Sequence, residues 1–290
     1  MLMAVPNVSE GRDPELLARL PGSFAPARFV DLHADPDHGR SVFTLAGPQG
    51  ELAEGLVAGA RAVIEAVGLT RHEGSHPHVG ALDVMPVVYL QDDQRGAACA
   101  EAITAAAVIG DDLGVPVFLY GELATDPAHR ERGDLRRGGW RALARRIEAG
   151  EVEPDFGPAR AHPTAGTILA AARPPLVAFN VDLVSDDLAL AREIAAGIRE
   201  SAPSGLPGVR AIGLRLEHRG RAQVSTNVHD HRATPLGTIV QAVRARAEVA
   251  EAELVGLAPQ AAFDGFPEDV DIRGFDPERH LIENALRSIR

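Results

Sequence analysis

The chain has 290 residues, 45% of them hydrophobic and 24% charged, enough for one large domain or two of ordinary size with real cores. A formal charge of −12 at pH 7 argues against a nucleic-acid or anionic-membrane partner, which would demand a basic face. None of the 29 basic side chains is lysine, which excludes Schiff-base catalysis and the lysine of a phosphate-binding P-loop and leaves arginine, histidine and helix N-termini to hold anions.

Apolar spacing along the first half predicts a strand over 2–6, a helix over 14–20, strands over 29–32 and 42–45 around a polar loop at 33–39, and a helix over 51–67 that stops at Gly68. A strand over 82–90, a helix over 95–113 and a strand over 115–120 follow. From Arg173 the order recurs: strand 176–183, helix 186–200, strands 209–216 and 222–227 joined by a hairpin-length turn at 217–220, helix 236–249 and strand 253–257. An amphipathic helix over 277–289 closes the chain. Two copies of βαββαβ, with a Pro/Gly/Arg-rich region at 153–175 between them, predict an α+β protein of two ferredoxin-like subdomains. Their sheets are expected to be mixed or antiparallel, covered on one face by helices. A doubly wound parallel sheet is the weaker reading, because no GxGxxG opens a helix.

The densest chemistry is Arg71-His72-Glu73-Gly74-Ser75-His76-Pro77-His78-Val79-Gly80-Ala81-Leu82-Asp83, a histidine-rich loop that runs into a buried strand. Imidazoles beside a core need partners or a task. One use is general acid–base catalysis by a histidine oriented by a carboxylate such as Asp83 or Glu73, with Pro77 restricting His76. The other is zinc, through His72, His76 and His78 with His229 and His231, although Gly74 and Pro77 interrupt helical ligand geometry and HExxH is absent. Arg40 follows an acidic loop at 31–39 and begins a strand, which suits rigid bidentate capture of a carboxylate. The stretch 155–166 has two prolines and small residues that let a flat ligand approach the backbone. A linker or a solvated turn is the plain alternative for either loop. Cys99, alone in an alanine-rich run, can form no internal disulfide. No apolar run is long enough to span a bilayer and the start lacks a signal-peptide pattern, so a cytoplasmic location is expected.

These stretches together resemble the formiminotransferase family. The resemblance is carried by Val5-Pro6-Asn7-Val8-Ser9-Glu10-Gly11, Arg71-His72-Glu73-Gly74-Ser75-His76-Pro77, Gly80-Ala81-Leu82-Asp83-Val84 and Val115-Pro116-Val117-Phe118-Leu119-Tyr120-Gly121-Glu122. It continues through Pro154-Asp155-Phe156-Gly157-Pro158, Ala178-Phe179-Asn180-Val181-Asp182-Leu183, Ala222-Gln223-Val224-Ser225-Thr226-Asn227 and Glu253-Leu254-Val255-Gly256-Leu257. It implies an N-terminal subdomain over 1–172 holding the catalytic histidine and a C-terminal one over 173–290, with a folate tunnel between them. The implied reaction moves a formimino group from N-formimino-L-glutamate to N5 of tetrahydrofolate, in histidine degradation.

By the resemblance His76 is the catalytic residue and tetrahydrofolate the co-substrate, with no metal and a homodimeric assembly. The folate segment falls on Gly157, Pro158, Ala159, Arg160, Ala161, His162, Pro163, Thr164, Ala165 and Gly166. Arg40, His33, Asp83 and Glu10 are the candidate substrate-binding residues. Two departures bear on the substrate. Asp31-Leu32-His33 stands where a second acid is expected, and Gly166-Thr167-Ile168-Leu169 replaces a run of smaller residues. A donor such as 5-formyltetrahydrofolate is therefore the alternative within the family, and a metal-dependent hydrolase using His72, His76 and His78 the alternative outside it.

Overall fold

The computed structural model describes residues 1–71 and 76–289, in two compact units, Met1–Pro174 and Pro175–Arg290. The first unit begins with β1 (Leu2–Ala4), β2 (Asn7–Val8), α1 (Pro14–Arg19), β3 (Arg28–Asp35), β4 (Arg40–Gly47), α2 (Glu51–Ala66) and β5 (Leu82–Val88). β1 and β2 pair antiparallel with β4 on one side and β5 on the other, and β3 pairs with β4 outside them. The lateral order β5, β1/β2, β4, β3 is that of a ferredoxin-like βαββαβ unit. α3 (Arg95–Leu113), β6 (Val117–Leu119), α4 (Arg132–Leu135), α5 (Gly139–Glu148) and β7 (Ile168–Arg173) extend it, with β7 parallel to both β5 and β6.

Caps explain where the helices start. Asp13 accepts the N–H groups of Glu15 and Leu16 at 3.0 Å and Pro14 opens α1. α2 has no such residue of its own. The buried Glu101 carboxylate of α3 accepts the N–H of Gly50 at 2.5 Å and of Ala53 at 2.6 Å, placing a negative charge at the α2 N-terminus.

β7 corrects the sequence reading, which has no strand in the Pro/Gly/Arg-rich region. Ile168 to Ala172 shows no alternation because both faces of this strand are covered, and all five residues are buried. α4 and α5 were not predicted either. They bring Leu135, Leu143 and Ile147 against Val84, Phe118, Tyr120, Leu169 and Ala171, on the face away from α2 and α3. Helices thus cover both faces at the parallel end of the sheet, where one covered face was expected. β3 also runs on through His33 to Asp35, so the polar loop shrinks to a turn.

The second unit holds β8 (Val177–Leu183), α6 (Leu188–Ile198), β9 (Val209–Leu216), β10 (Arg221–Val228), α7 (Leu236–Arg244) and β11 (Val249–Val255). Its four strands are antiparallel in the order β11, β8, β10, β9, again ferredoxin-like. Val177, Phe179, Val181 and Leu183 alternate inward against Ala191, Ile194 and Ile198 of α6 and Ile239, Val240 and Val243 of α7. The polar positions Asn180, Asp182, Gln223 and Glu253 are buried nonetheless, linked by hydrogen bonds and by Arg273. α7 ends five residues before the predicted boundary, because Val249 already pairs with Leu183 in β11. The predicted last helix is two short ones, α8 (Pro277–His280) and α9 (Ile282–Ser288), broken at Leu281, whose backbone is extended.

Candidate active site

The β3–β4 hairpin is held from three sides. Asp35 Oδ1 accepts the His38 N–H at 2.9 Å, and the Arg12 side chain donates to the Pro36 carbonyl at 2.8 Å. Gly11 lies flat against the hairpin. A Cβ there would stand 2.3 Å from the Asp35 oxygen and 2.6 Å from the Arg40 nitrogen, so only glycine allows the approach. Glu10, a candidate substrate ligand, uses one carboxylate oxygen to accept the N–H groups of Arg12 at 2.6 Å and Asp13 at 3.1 Å. His33 sits on β3 opposite Val42, and Asp35 opposite Arg40, so these pairs share a sheet face. That face is the one away from Phe43 and Leu45, which point into the α1/α2 core.

At the centre lies Asp83 of β5, fully buried. Its Oδ1 accepts the Val79 N–H at 2.8 Å; its Oδ2 accepts Arg40 Nη1 at 2.6 Å and an N–H of Arg136, at the end of α4. Arg40 also donates through Nη2 to Asn7 Oδ1 at 2.6 Å. Each terminal nitrogen of Arg40 is thereby committed once, leaving one N–H apiece. Burial alone would raise the Asp83 pKa, but Arg136, Arg40 and the Val79 N–H overcome it and hold the carboxyl at about 2. Burial pushes Arg136 down to about 9 and Arg173 down to about 10, and lowers Arg40, with repulsion from Arg132 acting on all three.

His76 is half-buried beside this centre. Its Nδ1 lies 2.8 Å from the Pro77 carbonyl. A carbonyl only accepts, so Nδ1 carries the proton and Nε2 presents the lone pair. The group holding the ring is therefore this carbonyl, while Asp83 is occupied by Val79, Arg40 and Arg136. Glu73, the other expected orienting acid, lies outside the described residues. The His38 ring stands 6.0 Å from that of His76, and His78 Nδ1 is 3.3 Å from the His76 carbonyl. Burial pushes the His76 pKa well below 6.5, and Arg40, Arg136, His38 and Arg132 push it the same way. The His76 ring is therefore neutral at pH 7.

The segment 157–166 is anchored at both ends and exposed between. Gly157 (φ 83°) packs on Gly110, and Val117 pairs with Phe156 just before it. Asp155 accepts the Leu119 N–H at 2.7 Å and the Thr125 hydroxyl. At the far end His162 and Gly166 exchange two backbone hydrogen bonds at 2.9 Å, and the His162 ring accepts the Ala165 N–H at 3.1 Å. Pro163 and Thr164 are left outward at the tip, with Ala159 and Arg160 likewise exposed.

For the zinc reading, His72 lies outside the described residues and His229 and His231 belong to the second unit. Among the described residues no three His, Cys, Asp or Glu side chains converge in a metal-binding arrangement. No helix among them is long and apolar enough to cross a membrane. Sequence reasoning missed Asn7, Arg132, Arg136 and Arg173 as part of this centre. The signal available was the run Arg130-Glu131-Arg132 to Arg136-Arg137, where arginines recur four apart.

Comparison with known proteins bears on the family. The model of the formiminotransferase domain, N-terminal subdomain, matches residues 1–173, and that of the formiminotransferase domain matches 178–264. A glutamate formimidoyltransferase of Streptococcus pyogenes serotype M1 is 33% identical over 97% of this chain and 97% of its own length. One from Thermoplasma acidophilum is 32% identical over 99% and 97%. The formimidoyltransferase-cyclodeaminase of Gallus gallus is 36% identical over 90% of this chain but only 51% of its own. With matches that run nearly end to end, the chain belongs to the formiminotransferase family, as an enzyme that transfers one-carbon groups.

Proposed function

We propose that this enzyme transfers the formimino group of N-formimino-L-glutamate to N5 of tetrahydrofolate, with His76 carrying the proton. The observation that supports this most is the His76 imidazole itself, neutral and fastened through Nδ1, with Nε2 left as acceptor. N5 of tetrahydrofolate attacks the amidine carbon, and a tetrahedral intermediate forms. N5 must then lose a proton and the departing glutamate nitrogen must gain one. A single imidazole serves both steps, taking the proton at Nε2 and returning it to the leaving nitrogen. Imidazolium is disfavoured among these arginines, so the proton is handed on readily.

In this reading Arg40 and Asp83 position the centre, His33 and Glu10 line the substrate side, and segment 157–166 takes the folate. Tetrahydrofolate is a co-substrate and no metal is required. A homodimer in the cytoplasm, acting in histidine degradation, completes the proposal. The experiment is turnover of N-formimino-L-glutamate with tetrahydrofolate, with 5-formiminotetrahydrofolate detected by mass spectrometry. Its formation supports the reading. Transfer from 5-formyltetrahydrofolate instead, with none from formiminoglutamate, would move the enzyme to the other donor that His33 and Thr167-Ile168-Leu169 suggest.

A further inference from the structure

We propose that Arg132, Arg136 and Arg173, gathered around Tyr120, form a binding site for the two carboxylates of a glutamyl group, with Arg132 its principal grip. Arg132 opens α4 and Arg136 closes it, four residues later on the same side of the helix, where Arg136 turns to Asp83. The Arg132 guanidinium stands 6.0 Å over the Tyr120 ring, and Tyr120 also lies against Arg173 at the end of β7. Arg173 donates to the Pro174 carbonyl at 2.9 Å. Neither Arg132 nor Arg173 makes an ion pair among the described residues, although both are half-buried. Asp134, on the same helix, is turned to Arg137 instead. The Arg136 Nε is buried without a hydrogen-bond partner.

With Arg40 included, four guanidiniums gather here; Arg40 and Arg136 share the single carboxylate of Asp83, while Arg132 and Arg173 make no ion pair among the described residues, so positive charge is in excess in a partly dry site. Such a charge excess is unfavourable until an anion enters. A dicarboxylate offsets that excess, and the planar forks suit carboxylate geometry. Two glutamyl groups are available if the proposed reaction is right, on which this inference rests: that of the donor and that at the tail of folate. Proximity favours the donor. Arg132 and Arg136 are close enough to act electrostatically on His76. The reacting nitrogen of formiminoglutamate is bonded to the carbon that bears its α-carboxylate, whereas the folate tail is separated from N5 by the whole aminobenzoyl spacer.

The test is calorimetric titration of N-acetyl-L-glutamate, pteroate and pteroylglutamate into wild-type protein and Arg132→Gln, with no reaction running. One charge-assisted pair is lost, so N-acetyl-L-glutamate should bind about tenfold to hundredfold more weakly to the variant. Pteroate and pteroylglutamate should bind as before. Arg132→Lys should recover part of the loss, and the melting temperature of the unliganded variant should not fall, since a repelling charge has gone. N-acetyl-L-glutamate affinity within twofold of wild type would overturn the proposal, as would a loss confined to pteroylglutamate. Arg132-dependent binding in a protein that shows no formimino transfer would keep this site and discard the reaction. Transfer with an unchanged KM for formiminoglutamate in Arg132→Gln would do the reverse.

Discussion

Replacing Asp83 with asparagine probes the electrostatic keystone of the first unit. The carboxylate is fully buried, accepts from two guanidiniums and one backbone N–H, and is held at about 2 against an ordinary value of 3.8. That depression alone corresponds to about 2 kcal/mol of stability at neutral pH. Removing the charge also leaves Arg40 and Arg136 buried without compensation, and breaking a buried pair in this way costs about 3–5 kcal/mol. The two figures overlap rather than add, so Asp83→Asn should lose about 3–5 kcal/mol. Trp140 is the only tryptophan and packs in the first unit, so its fluorescence in urea reports that unit. Because the folded-state pKa is depressed, the stabilisation is complete above pH 3.8 and fades as pH falls through about 2. The gap between wild type and variant should narrow on the same acid side. A loss below about 1 kcal/mol, or a gap that persists unchanged at low pH, would refute this account of the centre.

Other outcomes follow from the same geometry. The acid limb of kcat/KM should follow a group titrating below 6.5, with His76 protonated and inactive at its foot; a limb centred above 6.5 would contradict a half-buried base among arginines. Since His76 is lowered in the fold, protonation favours the unfolded chain between 6.5 and the folded value. Stability should therefore fall across that window on acidification, and His76→Gln should flatten the slope. Gly11→Ala forces the hairpin away from its neighbour and should cost about 1–3 kcal/mol, read by the same urea titration. Asp155→Ala frees the start of segment 157–166 from Leu119 and Thr125 and should raise the KM for tetrahydrofolate more than it lowers kcat; an unchanged KM would remove that segment from folate binding.

The ferredoxin-like units were legible in the sequence where strands are amphipathic. Val177, Phe179, Val181 and Leu183 alternate with Ala178, Asn180 and Asp182, and the structure uses that alternation directly. β7 was not legible, because a strand covered on both faces loses its period, and Ile168-Leu169-Ala170-Ala171-Ala172 looks like any small apolar run. α5 hid because its apolar positions, Trp140, Leu143 and Ile147, are diluted among arginines. In the site, His76 stood out by density of titratable groups. Its surroundings did not: Arg136 reaches Asp83 across 53 residues of chain, and Asn7 reaches Arg40 across 33. The layering of α4 onto the open face of the sheet brings Arg136 in, and the pairing of β2 with β4 brings Asn7 to Arg40.

The most direct test of the central claim is chemical rescue of His76→Gly. Formimino transfer from N-formimino-L-glutamate to tetrahydrofolate should fall about 10²–10⁴-fold in the variant. Added imidazole should restore part of it in proportion to its unprotonated fraction. A variant that transfers at the wild-type rate, or a wild-type protein that binds both substrates and transfers nothing, would contradict His76 as the proton carrier of this reaction.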